Sequence, residues 1–169
     1  SYSWLGSLYA RAKNGQKAYE SLKTFSECFC LPNSFHANGD QSGTGKSNFT
    51  YRPFTLEGNF AYASSLQEML IQSYSGVIEL FPAVPVDWKN ISFKKLRAEG
   101  AFLVDAELSD GFLNRVVIYS EKGGKVKVKN NFKDKKCFCS KNIDSNILCN
   151  EVIEIMMKPK ERIVLSYLK

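Results

Sequence analysis

Phe102-Leu103-Val104-Asp105-Ala106-Glu107-Leu108-Ser109-Asp110-Gly111 is the stretch on which the reading of this chain turns. Phe102, Val104, Ala106 and Leu108 fall on one face of an extended segment and Leu103, Asp105 and Glu107 on the other. That period of two is the pattern of a half-buried strand. Asp110-Gly111 follows as a hairpin turn into Leu113–Tyr119. Gly123-Gly124 reads as a second turn, into the clean alternation Lys125-Val126-Lys127-Val128-Lys129. Ile153, Ile155 and Met157, then Ile163, Leu165 and Tyr167, predict a closing pair of strands. From about Gly76 onward the chain is expected to be antiparallel β.

Toward the N-terminus the period changes. Leu5, Leu8, Tyr9 and Ala12 repeat at helical spacing, Asn14-Gly15 interrupts them, and Ala18, Tyr19, Leu22 and Phe25 resume the repeat, which predicts a helical hairpin. Pro32 to Pro53 is rich in Gly, Ser, Asn and Thr without apolar period and reads as a long loop, a feature often functional. Phe60, Ala63, Leu66, Met69 and Leu70 then mark one helical stripe, with Asn59 as its N-cap. The expectation is an α+β chain with two packing units, residues 1–75 helical and 76–169 β. Three helices alone have few ways to hide their apolar faces, so they are expected to belong to a larger helical body.

Composition narrows the function classes. With 44% hydrophobic and 24% charged residues in 169, and with twelve Phe, eight Tyr and two Trp, the chain can bury a core and is not disordered. No apolar run reaches the roughly 18 residues that cross a bilayer, so no membrane span is expected. The net charge of +6 is spread along the chain, gathered only modestly in Lys122 to Lys136, so a nucleic-acid partner is not expected either. The opening Ser1-Tyr2-Ser3-Trp4 has no start Met and runs straight into helical periodicity, which reads as a cut piece with any export signal upstream. Five Cys, two pairs of them spaced Cys-x-Cys, read as free or buried thiols rather than a zinc site. Asn48-Phe49-Thr50 and Asn90-Ile91-Ser92 fit the glycosylation acceptor pattern, which matters only in a eukaryotic secretory route.

Two segments carry candidate chemistry. Gly43-Thr44-Gly45-Lys46-Ser47 looks like the end of a phosphate-binding loop, but Asp40 stands where the leading Gly belongs and Pro53 follows closely, so nucleotide binding is not expected. Pro53-Phe54-Thr55-Leu56-Glu57-Gly58-Asn59-Phe60 places a carboxylate at a loop-to-helix junction. Free amides and the helix dipole there favour negative charge, which suits a general base or an electrostatic stabiliser, and equally a plain capping carboxylate. His36, the only imidazole, shares its loop with Asn33, Asn38 and Asp40, groups suited to sugar hydroxyls. Tyr51, Phe54 and Trp88 could stack on a sugar ring.

The same segment resembles the P-F-Q-I-D-G-N-F stretch of glycoside hydrolase family ninety-five, the inverting α-L-fucosidases and their relatives. Glu68-Met69-Leu70-Ile71-Gln72-Ser73 is similar to that family's E-M-L-L-Q-S, and residues 76–88 to its G-x-I-x-L-L-P-A-L-P-x-x-W. Leu96-Arg97-Ala98-Glu99-Gly100-Ala101-Phe102 resembles L-R-A-R-G-G-F, and Trp4 to Leu22 the helical pair before the loop. The resemblance implies the last helices of an (α/α)6 barrel followed by an antiparallel, β-sandwich-like C-terminal domain. It implies Glu57 in the place of the family's general-base Asp, with the general-acid Glu upstream, and Asn59, His36 and Arg52 as groups that orient the carboxylate or bind sugar. It further implies a glycan substrate, the rest of a parent polypeptide as partner, a secreted or periplasmic setting, and no metal or organic cofactor, since two carboxyls and a water suffice. The sequence differs from the family pattern in having Glu for Asp and a longer loop that ends Tyr51-Arg52-Pro53-Phe54 where the family has H-P-P-F. The competing reading is a non-catalytic module that braces the barrel or binds carbohydrate, with Glu57 a structural cap.

Overall fold

The structure, a computed structural model, describes residues 2–132 and 137–167; residues 133–136 of the lysine-rich run fall outside it. The described residues form three α-helices and nine strands: α1 (Tyr2–Arg11), α2 (Gly15–Cys28), α3 (Leu56–Leu70), β1 (Ile71–Gln72), β2 (Glu79–Leu80), β3 (Ile91–Ala98), β4 (Phe102–Ser109), β5 (Phe112–Ser120), β6 (Gly124–Lys129), β7 (Cys137–Cys139), β8 (Val152–Met157) and β9 (Arg162–Tyr167). They divide into two compact units, one of Ser1–Leu70 with Pro82–Pro85, the other of Ile71–Phe81 with Val86–Lys169. The architecture is α+β with a C-terminal region of antiparallel sheets. The (α/α)6 barrel itself is not contained in this chain, whose helical unit holds three helices.

In the helical unit Asn14 caps α2, its side chain accepting from the Lys17 amide at 3.1 Å. The buried face of α2 is the expected one, Ala18, Leu22 and Phe25. In the other two helices burial follows the predicted apolar stripes only at Met69. In α1 the buried positions are Ser3, Gly6 and Ala10, and in α3 they are Gly58, Ser65 and Met69. Small residues let these helices approach closely: a Cβ on Gly6 would lie 2.8 Å from Leu22 Cδ2 and 3.5 Å from Ser65 Cβ. The gap is bridged by Ser65 Oγ, which donates to the Ser3 carbonyl at 2.6 Å and lies 2.7 Å from Ser7 Oγ. Leu8 and Phe60, bulky residues of the predicted stripes, face outward instead, as does Trp4.

In the β unit, β3, β4, β5, β9 and β7 form one antiparallel sheet in that order. Phe102, Val104 and Ala106 are buried along β4, as the alternation requires. The β4–β5 turn is Asp110-Gly111, both at positive φ (53° and 77°), with Ser109 opposite Phe112. That is the backbone a two-residue hairpin demands. Two sequence expectations are corrected here. Gly123-Gly124 does not close a hairpin between β5 and β6, because β6 leaves the sheet and pairs with β8. Nor do β8 and β9 pair with each other: β8 lies beside β6, and β9 sits between β5 and β7. At both places the chain changes sheet, with Gly123 at φ 80° in close approach to Pro159, a geometry that local alternation does not encode.

Candidate functional site

The junction of the long loop with α3 is built by short backbone pairings. His36 and Ala37 pair with Cys30 and Phe54, the Asn38 amide donates to the Pro53 carbonyl at 3.0 Å, and the Thr55 amide to the His36 carbonyl at 3.0 Å. Both ends of the loop are thereby laid against the segment that enters α3.

Helix α3 begins at Leu56, so Thr55 precedes it and Asn59 lies inside the first turns rather than at the cap. Asn59 acts as a clasp: its Oδ1 accepts from the His36 amide at 2.8 Å and its Nδ2 donates to the Ser34 carbonyl at 2.8 Å. His36 Nδ1 lies 2.8 Å from the Thr55 carbonyl and 2.7 Å from Thr55 Oγ1, and the ring packs on Phe25 with centroids 4.9 Å apart. The ring also rests on Gly58, where a Cβ would stand 2.3 Å from Nδ1. Only glycine leaves that space, a constraint that sequence reading missed. Its signal was the Glu-Gly-Asn order itself.

Glu57 lies in the first turn of α3, exposed, and among the described residues no hydrogen bond or ion pair involves its carboxylate. The structure thus brings His36, Asn59 and the helix start together and leaves Glu57 facing outward beside them. Arg52 is placed elsewhere on the loop: its Nε donates to Gln41 Oε1 at 3.1 Å, beside a hollow lined by Glu27, Cys30, Leu31 and Pro32. Of the candidate stacking rings, Phe54 lies 5.8 Å from Phe35, and Tyr51 lies 5.9 Å from Phe49 and 3.1 Å from Asn38 Nδ2. Trp88 belongs to the β unit.

The Gly-rich stretch proves to be an anchored turn. Asp40 is buried and its carboxylate accepts from the Ser42 hydroxyl at 2.5 Å, the Ser42 amide at 2.8 Å and the Lys46 amide at 2.8 Å. The Ser42 hydroxyl, and then the surrounding amides, hold this carboxyl below its ordinary range. The amides that a phosphate would need are therefore turned onto Asp40. All five cysteines are free thiols, and burial pushes Cys137 up to about 12, so it stays protonated at neutral pH.

The described residues thus join a helical unit, with an exposed carboxylate at a helix start, to a unit of antiparallel sheets. The family model described as "Glycoside hydrolase family 95, C-terminal domain" matches residues 72–165, and the chain belongs to that family. It is similar to "Alpha-L-fucosidase 2" of Arabidopsis thaliana, 32% identical over 123 residues, which cover 72% of this chain and 14% of that protein. The chain therefore spans a small part of the length of the curated relative it matches.

Proposed function

We propose that this chain is the C-terminal segment of an inverting glycoside hydrolase that cleaves α-L-fucosyl or a related sugar linkage, and that Glu57 is its general base. The observation that carries the reading is a carboxylate left exposed and unpaired on the first turn of α3 while its neighbours are locked. Asn59 fixes the loop, Thr55 fixes His36, and Gly58 admits the imidazole against the helix. A general base must keep its oxygens free for a water, and the exposed carboxylate of Glu57 supports that reading.

Inversion needs a second carboxyl, the acid, roughly 6.5–9.5 Å from the base with the attacking water between them. That partner is proposed to lie in the remainder of the parent polypeptide, together with the other helices of an (α/α)6 barrel. The outward-facing Leu8 and Phe60 support this, since they would be covered by such helices. In the reaction Glu57 takes a proton from water as it attacks the anomeric carbon from the face opposite the leaving group. Asn59 and His36 keep the loop from shifting the base, and Arg52 lies on the same loop as a group for substrate hydroxyls. The added methylene of Glu relative to the family's Asp advances the carboxylate by about 1 Å, a displacement that matters in such a site.

The β unit fits a bracing role. Five of its cations are paired within it: Lys125 and Lys127 on Glu154, Lys129 on Glu79, Lys141 on Glu161 and Arg97 on Glu121. In the full-length polypeptide, Glu57→Gln is expected to lower turnover of an aryl α-L-fucoside about 10²- to 10⁴-fold, with Tm within a few degrees of the parent. Unchanged turnover would remove Glu57 from the mechanism and leave it a capping carboxylate.

A further inference from the structure

A cavity of about 520 Å³ lies in the helical unit between the start of α1, the end of α2 and the loop. A volume in the range of about 300–1,000 Å³ suits a small ligand. The helix side is apolar, with Trp4, Phe25 and Phe29, and the loop side is polar, with His36, Asn38 and Lys46. No carboxylate is among its lining residues, so Glu57 is not part of it.

The state of His36 gives the cavity its chemistry. A carbonyl oxygen can only accept, so the Thr55 carbonyl 2.8 Å away fixes the proton of the neutral ring on Nδ1 and leaves the lone pair on Nε2. The edge holding Nδ1, Cγ and Cε1 is pressed on Gly58 and one ring face on Phe25. What remains to line the cavity is the edge that carries Nε2. Asn38, already donating to Tyr51 Oη at 3.1 Å, and Lys46, whose amide is tied to Asp40, stand on the same side.

An aromatic wall facing a wall of one acceptor and two donors matches a ring that has a C–H face and a rim of hydroxyls. We propose that this cavity is a subsite for a neutral pyranose unit, in which His36 Nε2 accepts a hydroxyl hydrogen bond and selects the sugar's orientation. The subsite rests on the reading of the parent as a glycoside hydrolase, but not on Glu57 being the base. It deepens that reading by giving the longer loop a substrate-selecting task.

The test uses the ¹⁵N-labelled 169-residue chain and the indole N–H signals of Trp4, in the cavity wall, and Trp88, in the β unit. Titration with methyl α-L-fucopyranoside is expected to shift Trp4 saturably and leave Trp88 in place, while sorbitol, which has hydroxyls but no ring face, shifts neither. His36→Asn keeps a donor at the Nδ1 position and deletes Nε2, so affinity should fall about tenfold with the fold intact, the worth of one hydrogen bond in a closed site. His36→Gln, whose amide oxygen reaches the Nε2 position, should retain more of the affinity than His36→Asn. A silent Trp4, an equal response to sorbitol, or a His36→Asn chain that binds as well as the parent would each overturn the subsite. Glu57→Gln should bind within twofold of the parent chain, so a failed base assignment shows in turnover alone and a failed subsite shows in binding alone.

Discussion

The two units of this chain solve the same problem in opposite ways. In the β unit the large aliphatic residues are inside: Val104, Val116, Ile118, Val128, Ile153 and Leu165 are fully buried. In the helical unit Leu22, Phe25 and Met69 are buried too, but the seam between α1 and α3 is made from Ser3, Gly6, Ala10 and Ser65, and Trp4 at 62% and Phe60 at 69% are exposed. A sheet closes its core with its own side chains, because alternate residues already point to a common face. Helices packed through small residues leave their wide faces for something else. The sheet thus buries its bulk along strand faces, while α1 and α3 leave part of theirs exposed.

The comparison fails if stability does not follow it. Leu165→Ala, in a strand flanked on both sides, should cost about 2–5 kcal/mol in urea unfolding, since it removes a buried side chain and leaves a cavity. Trp4→Ser should shift stability by no more than about 0.5 kcal/mol, as an exposed position does. Equal costs at the two positions would mean that the helical unit already uses its bulky face. A smaller effect sharpens the picture of the loop junction. Gly58→Ala pushes a methyl to 2.3 Å from His36 Nδ1, so the imidazole must leave the Thr55 carbonyl. About 1–3 kcal/mol of destabilisation is expected, the usual range for overpacking, with Thr55 and His36 amide shifts in the spectrum. A Gly58→Ala chain as stable as the parent would show that the ring is not held there.

Sequence reading succeeded where period and burial share a cause. The alternation in Phe102–Leu108 became β4, and Asp110-Gly111 became the hairpin turn because Asp and Gly are among the residues that best tolerate two positive φ values in succession. In α1 and α3 it found the helices, and Met69, but not the rest of the buried face, because apolar spacing finds a hydrophobic face without saying what covers it. It failed again at Gly123-Gly124, where partner choice among strands depends on contacts far along the chain, here Lys127 opposite Glu154. At the candidate site the types of residue were legible but their duties were not. Asn59 read as a cap and proved a clasp, its amide ends both taken by backbone groups more than 20 residues away along the chain.

Acid provides the finest comparison of the two units. In the β unit Glu121, Glu154 and Glu161 are all held below the ordinary carboxyl value, Glu121 by Arg97, Glu154 by Lys127 and Lys125, and Glu161 chiefly by the Lys158 amide and then by Lys141. In the helical unit Asp40 is held below its ordinary 3.8 by the Ser42 hydroxyl and then by backbone amides. A carboxyl depressed by folding binds its proton more weakly in the folded chain, so its stabilisation is fully present above 3.8 for Asp40 and is lost as pH falls through the lower folded value. In Asp40→Asn that component should vanish: loop amides such as those of Ser42 and Lys46 should show no change between about pH 5 and pH 2 beyond that of the β unit. The parent should lose the Ser42 and Lys46 hydrogen bonds in that window. Identical acid profiles for the two chains would show that Asp40 is not what fastens the turn. The long loop would then be held by its other ties, Asn59, the pairing of Ala37 with Phe54 and the Gln41 amide on the Cys28 carbonyl.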